Sequence, residues 1–208
     1  MTPADIYLSI NKVQYVKNLR VFSIEIYRRS FFIKNFYEIE NYLEDIAKGR
    51  IEYNKDNELI NDCIFHKITD YVHLIIFFEN YIKSELLLKN ICIHKIILSK
   101  NKKLFNKQKN EPIFIDEILQ NEKPKFINNK YYLESISQKT LSISEILNER
   151  YLKYLNINPE IISFIKRIVK ERNELHLITD LELNISSKDI LVYKMIEEFI
   201  LERYKFSE

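Results

Sequence analysis

The chain has 208 residues, with Lys+Arg 32 against Asp+Glu 30, a formal net charge of +2, 46% hydrophobic residues and 30% charged. That balance belongs to a folded globular protein, and so small a net charge gives no argument for a polyanion partner beyond local clustering. The one glycine, Gly49, excludes a G-x-G-x-x-G loop and a Walker-type phosphate loop, and with four prolines it leaves little material for the tight turns of an all-β fold.

From about Ala4 to about Phe32, apolar residues recur at Ile6, Ile10, Val13, Val16, Leu19, Phe22 and Ile26. Steps of three and four predict one long amphipathic helix. A second helix is expected from about Asn35 to Lys48, ending at Gly49 in a left-handed C-cap. After a polar loop, the stripe Ile60, Ile64, Ile68, Tyr71, Ile75, Phe78, Ile82 and Leu86 predicts a long helix from about Glu58 to Leu88.

Beyond Ile97 the pattern fades. The Lys- and Asn-rich stretch from Ser99 to Asn110, and the sequence to about Thr140, carry little sustained period, with short helices expected around Ile113–Leu119 and Ser144–Tyr154. Asn158-Pro159-Glu160 is a strong helix start: a capping side chain, a proline at the first helical position and an acid in the first turn. That helix should run to about His176, and a last one, capped by Ser186 or Ser187, to about Lys205. The expectation is an all-α protein.

Cys63 and Cys92 do not make a disulfide framework and read as free thiols in a reducing compartment. The longest apolar run, Leu74 to Phe78, stops at Glu79, far below spanning length, and no leader pattern opens the sequence. A soluble cytoplasmic protein with no membrane partner is expected.

The chemistry concentrates in Arg172-Asn173-Glu174-Leu175-His176. Ile161, Ile165 and Ile168 step along one helical face, and the same stepping arrives at Arg172 and then His176, about 40° apart around a helix. A guanidinium offers a donor fork matched to phosphate oxygens, and an imidazole gives or takes a proton near neutrality. Together they suit metal-independent attack of a ribose 2′-hydroxyl on its adjacent phosphodiester. His176 would move the proton, Arg172 would steady the phosphorane and Asn173 would orient a phosphate or the ring. The same residues also fit a helix-terminal cap that meets the dipole and the last carbonyls.

Arg-Asn-x-x-His late in the chain, followed by a loop and one closing helix, resembles the signature of the HEPN superfamily. Phe78 to Asn90, with the step Ile91-Cys92-Ile93-His94-Lys95-Ile96, resembles a helix and following turn common in that superfamily. The resemblance implies an all-helical bundle over residues 58–208, with residues 1–57 as an N-terminal helical extension. It also implies a ribonuclease of a prokaryotic defence (phage defence) or toxin–antitoxin system, an RNA substrate and an antitoxin or defence partner protein. A homodimer bringing two Arg172/His176 pairs into one cleft is implied as well. In the family four to six residues separate Arg and His. Here three intervene, a spacing that favours the alternative of a non-catalytic dimerisation, RNA-binding or protein-binding module.

Three further sets carry weaker chemistry. Glu79 could orient the site as a second carboxylate, or simply pair with Lys83 one turn on. The run Lys100, Lys102, Lys103, Phe105, Lys107 and Lys109 could track a phosphate backbone with stacking from Phe105, or form a solvated segment. Cys63-x-x-His66 and Cys92-x-His94 hold the ligand types of a zinc site but lie far apart inside apolar patterns. They read as ordinary buried residues, as does His73, and neither a metal nor a cofactor is expected.

Overall fold

A computed structural model describes residues 2–30, 34–52, 58–174 and 187–203. In chain order the elements are α1 (Pro3–Tyr7), α2 (Ser9–Tyr27), α3 (Phe36–Ala47), α4 (Glu58–Leu88), β1 (His94–Ile96), α5 (Lys102–Asn110), α6 (Ile115–Asn121), β2 (Lys125–Ile127), β3 (Lys130–Tyr132), β4 (Ile136–Thr140), α7 (Ile143–Ile146), α8 (Glu149–Leu152), α9 (Pro159–Glu174) and α10 (Ser187–Arg203). The protein is mainly α. No described helix is long and apolar enough to cross a membrane.

Contacts divide the chain into two compact units, Met1–Ile24 with Phe77–Ile157, and Glu25–Ile76 with Asn158–Glu208. Helices α2 and α4 each contribute to both.

The regular elements described in the second unit are all helices. α3 ends as its glycine requires: Gly49 sits at φ 67, its N–H donates to the Ile46 carbonyl at 3.0 Å and the Arg50 N–H to the Asp45 carbonyl at 2.8 Å. This paired closure satisfies carbonyls the last turn would otherwise leave open. α9 begins on its expected cap, with the Asn158 side-chain oxygen accepting from the Glu160 N–H at 2.8 Å. Its stripe, Ile161, Ile165 and Ile168, is buried with Phe164 and Val169. Phe164 meets Tyr193 of α10 edge to face, with ring centroids 5.5 Å apart. Tyr71, Leu74 and Ile75 of α4 and Val192, Ile196 and Ile200 of α10 are also buried in this unit. The side chains of Ile60, Ile64 and Ile68 lie outside the described set.

The first unit corrects the all-α expectation, because it contains two small antiparallel sheets. β1 pairs with β4 (His94 opposite Thr140, Ile96 opposite Ile136, with a register shift between them), and β2 pairs with β3 as a hairpin. α4 ends at Leu88, and just beyond it Asn90 takes φ 61 while the Ile91 N–H reaches back to the Leu86 carbonyl at 2.9 Å. The chain then runs extended. Cys92 N–H donates to the Ile113 carbonyl at 2.8 Å and Leu141 N–H to the Ile93 carbonyl at 2.8 Å, so Ile91 to Ile96 is stitched to segments twenty and nearly fifty residues away. Strands of three to five residues leave too short a pattern to read, and the pairing of β1 with β4 is non-local. The Lys-rich stretch without apparent period is helical as α5, started by the Asn101 side chain accepting from Leu104 N–H at 3.0 Å.

The first expected helix is two. α1 opens with a capping box, Thr2 and Asp5, and stops at Leu8, whose backbone is extended (φ −72, ψ 139) and whose carbonyl accepts the first bond of α2 from Lys12 at 2.9 Å. The apolar stripe is also rotated from its expected position. Val16, Ile24 and Tyr27 are buried, whereas Val13 and Phe22 are 66% and 52% exposed. Replacing Phe77, wholly buried in α4, by Ala should therefore cost about 3–5 kcal/mol in urea denaturation. Val13→Ala, although on the periodic stripe, should stay within about 0.5 kcal/mol.

Candidate functional site

Arg172 stands in the last turn of α9 and is half-buried, one step beyond the buried Ile161, Ile165 and Ile168. The rotation of that turn is set from its neighbour: the Tyr71 hydroxyl of α4 donates to Glu171 Oε2 at 2.9 Å. Arg167 lies 3.6 Å from the other Glu171 oxygen and over the Phe164 ring at 5.2 Å. With Glu171 tied to α4, Arg172 is presented about 100° further round the helix, in line with the buried stripe. The Asn173 side chain and all of His176 lie outside the described residues.

Glu79 forms an ion pair with Lys83, as its spacing of four allows. The lysine is itself buried and donates on to Thr140 Oγ1 at 2.9 Å.

The Lys-rich segment splits into two parts. Lys107 bridges Glu117 at 2.6 Å and Glu111 at 3.6 Å, and the Phe105 ring is covered by Lys109 Nζ, 4.6 Å from its centroid. These members are engaged within α5 and α6. Lys100, Lys102 and Lys103 are exposed at the start of α5, with Lys100 4.0 Å from Glu134.

One polar constellation was not legible in sequence. Tyr7 of α1 reaches His94 of β1, with its hydroxyl 2.5 Å from Nδ1 and 3.1 Å from Cys92 Sγ. The phenol oxygen also accepts from the His94 backbone N–H at 3.2 Å. Cys92 donates to the His94 carbonyl at 3.3 Å, and Gln108 clamps the strand, giving its amide to the His94 carbonyl at 2.8 Å and accepting from Ile96 N–H at 2.9 Å. All four side chains are buried. Burial, reinforced by the Lys83 charge, depresses the imidazole from its ordinary 6.5 to about 4, so the ring is neutral at pH 7. Which of the phenol and Nδ1 donates across this contact follows the tautomer of the neutral ring. Burial pushes the Cys92 thiol up to about 11 despite its hydrogen bonds.

A cysteine and a histidine this close suggest a nucleophile and its base. A nucleophilic pair needs thiolate character, and here both groups are held neutral by the same burial. The constellation therefore works as a polar anchor that fastens α1 to β1. Among the described residues no group of three or more His, Cys, Asp or Glu is placed to hold a metal ion. The Cys63 side chain lies outside them.

Comparison with protein-family models, with curated proteins and with solved structures finds no match.

Two measurements check the anchor. Above pH 6.5 the His94 ring is neutral whether the chain is folded or not. Between about 6.5 and about 4 the unfolded chain takes up a proton that the folded chain refuses. The stability is thus fully present above 6.5 and falls as pH drops toward 4, by roughly 3 kcal/mol at the limit. His94→Gln, which keeps an acceptor for Tyr7, should flatten that part of the urea-denaturation profile. Iodoacetamide at pH 8 should leave Cys92 unmodified in the native protein and alkylate it readily in denaturant, as peptide mapping by mass spectrometry would show.

Proposed function

We propose that this protein is a HEPN-like, metal-independent RNA endonuclease of a bacterial defence or toxin–antitoxin system, acting in the cytoplasm as a homodimer. The reading rests on one observation: the buried stripe of α9 runs into a half-buried guanidinium, Arg172, in the final turn. A guanidinium offers a donor fork matched to phosphate oxygens, and a phosphodiester is the anion whose chemistry an imidazole four residues on in the sequence serves. In this reading Arg172 contacts the scissile phosphate, His176 moves the proton of the 2′-hydroxyl and Asn173 orients the phosphate.

The three-residue interval between Arg172 and His176 favours a second reading, a non-catalytic module that keeps the same surface for binding RNA or a partner protein. One experiment separates the two. Incubated with RNA in the presence of a chelator, the purified protein should yield fragments ending in 2′,3′-cyclic phosphate. Arg172→Ala and His176→Ala should each lower the rate by about 100-fold or more. Equal background cleavage by wild type and both variants overturns the enzyme. RNA retention without cyclic-phosphate ends then establishes the module.

A further inference from the structure

The β2–β3 hairpin takes no part in the constellations described above, and its construction is unusual for a surface element. Its turn, Asn128-Asn129, holds two consecutive residues at φ 49 and φ 58, the left-handed pair that a two-residue hairpin of matching twist requires. Lys125 lies opposite Tyr132, Phe126 opposite Tyr131 and Ile127 opposite Lys130. Opposed residues share a face and successive ones alternate, so the hairpin has two distinct sides.

On one side the Phe126 and Tyr131 rings lie 4.8 Å apart, and the same side continues to Leu133, which is buried. The Tyr131 backbone is fixed to α1: its N–H donates to Asp5 Oδ1 at 2.9 Å, and its carbonyl accepts from the Thr2 hydroxyl. The hairpin is thus held at its outer edge as well as at its base. The other side carries Lys125, Ile127, Lys130 and Tyr132, all exposed, with Ile127 at 51% and Tyr132 at 38%. Each lysine there stands opposite an apolar or aromatic side chain.

Charge identifies what such a face would accept. Residues 98–103 and 122–134 carry six lysines against two glutamates. Both acids are already committed. Glu122 accepts from the Ser135 N–H at 3.1 Å and from its hydroxyl at 2.5 Å. Glu134 is shared between Lys125 and Lys100, which places the start of the Lys-rich segment beside the base of the hairpin. Lys102, Lys103, Lys123 and Lys130 make no ion pair among the described residues, so the surface retains net positive charge.

We propose that this face of the hairpin, with Lys100, Lys102 and Lys103 beside it, binds single-stranded nucleic acid. A base stacks on the Tyr132 ring and packs against Ile127, while the phosphates follow the lysines. A duplex offers no unstacked base to a flat ring, so the single strand is the preferred form. An anionic membrane would match the charge, but the tip that would enter it is Asn128-Asn129, two amide side chains that gain nothing from the acyl region. The proposal uses none of Arg172, Asn173 or His176 and does not depend on cleavage.

Fluorescence anisotropy of the full chain with labelled oligo(dT) tests this, because that probe lacks the 2′-hydroxyl and cannot be cut by the chemistry proposed above. Saturable binding at low salt is expected, with log affinity falling linearly in log salt. Tyr132→Ala should weaken it about tenfold and Tyr132→Phe should restore it. Lys125→Gln with Lys130→Gln should reduce the salt slope by about 1.4, or 0.7 per lost phosphate contact. Lys48→Gln, an exposed lysine at the end of α3, should change nothing. Thermal melts should show the hairpin variants as stable as wild type, and Tyr132→Phe reports on the ring if Tyr132→Ala melts early. Absence of binding, equal binding by every variant, equal affinity for a duplex, or preferential capture by phosphatidylserine vesicles overturns the proposal.

Discussion

From Phe77 to Leu87, helix α4 is buried on nearly every side: Phe77, Phe78, Tyr81, Ile82, Leu86 and Leu87 are joined below the surface by Lys83 and Ser84. A helix with one apolar stripe needs one neighbour, but a helix enclosed all round must be wrapped, and its polar side chains must be answered from within. Ser84 answers locally by donating to the Tyr81 carbonyl at 2.7 Å. Lys83 is answered by Glu79 from its own helix and Thr140 from β4. The strand pairing of the first unit thereby serves the helix directly, since β4 supplies a partner for a buried cation.

The same demand explains the polar anchor. Where α4 ends, the extended segment from Ile91 to Ile96 brings Cys92 and His94 inside, and buried polar atoms need partners. Tyr7 supplies them from near the start of the sequence, 85 and 87 residues away. A phenol suits the place because it has both a donor and acceptor lone pairs, so it can meet Nδ1 in either tautomer and accept from a backbone N–H without carrying charge. The result is a pair of residues that on paper resemble catalytic groups and in the fold are chemically silent. Burial that suppresses both ionisations is a structural signature, whereas a working nucleophile requires one of them to be promoted.

The chemistry proposed here lies on two other surfaces. One is the end of α9, where the Tyr71–Glu171 hydrogen bond sets the rotation of the last turn. The other is a hairpin whose exposed face alternates lysine with apolar side chains. They draw on different physics. The first depends on a guanidinium fork matched to phosphate oxygens, the second on stacking and counterion release at an open face.

The elements readable from the chain alone were those whose causes are local. Gly49 and Asn158-Pro159 mark helix limits through φ preference and capping, and the stripe of α4 is long enough for its period to be unmistakable. The candidate Arg172 was legible for the same reason, as a polar break in a periodic pattern. The two sheets were not, because each strand offers only three to five residues, and β1 finds its partner β4 some forty residues along. Nor was the role of Tyr7, whose partners are 85 and 87 positions away. Val13 and Phe22 fit a helical period yet face outward, since periodicity defines a stripe but packing chooses which stripe is covered. Local preference acts through a few neighbouring dihedrals and can be read along a line. Pairing, burial and the neutralisation of His94 arise only when distant segments exclude water together, and that was decided by the tertiary structure.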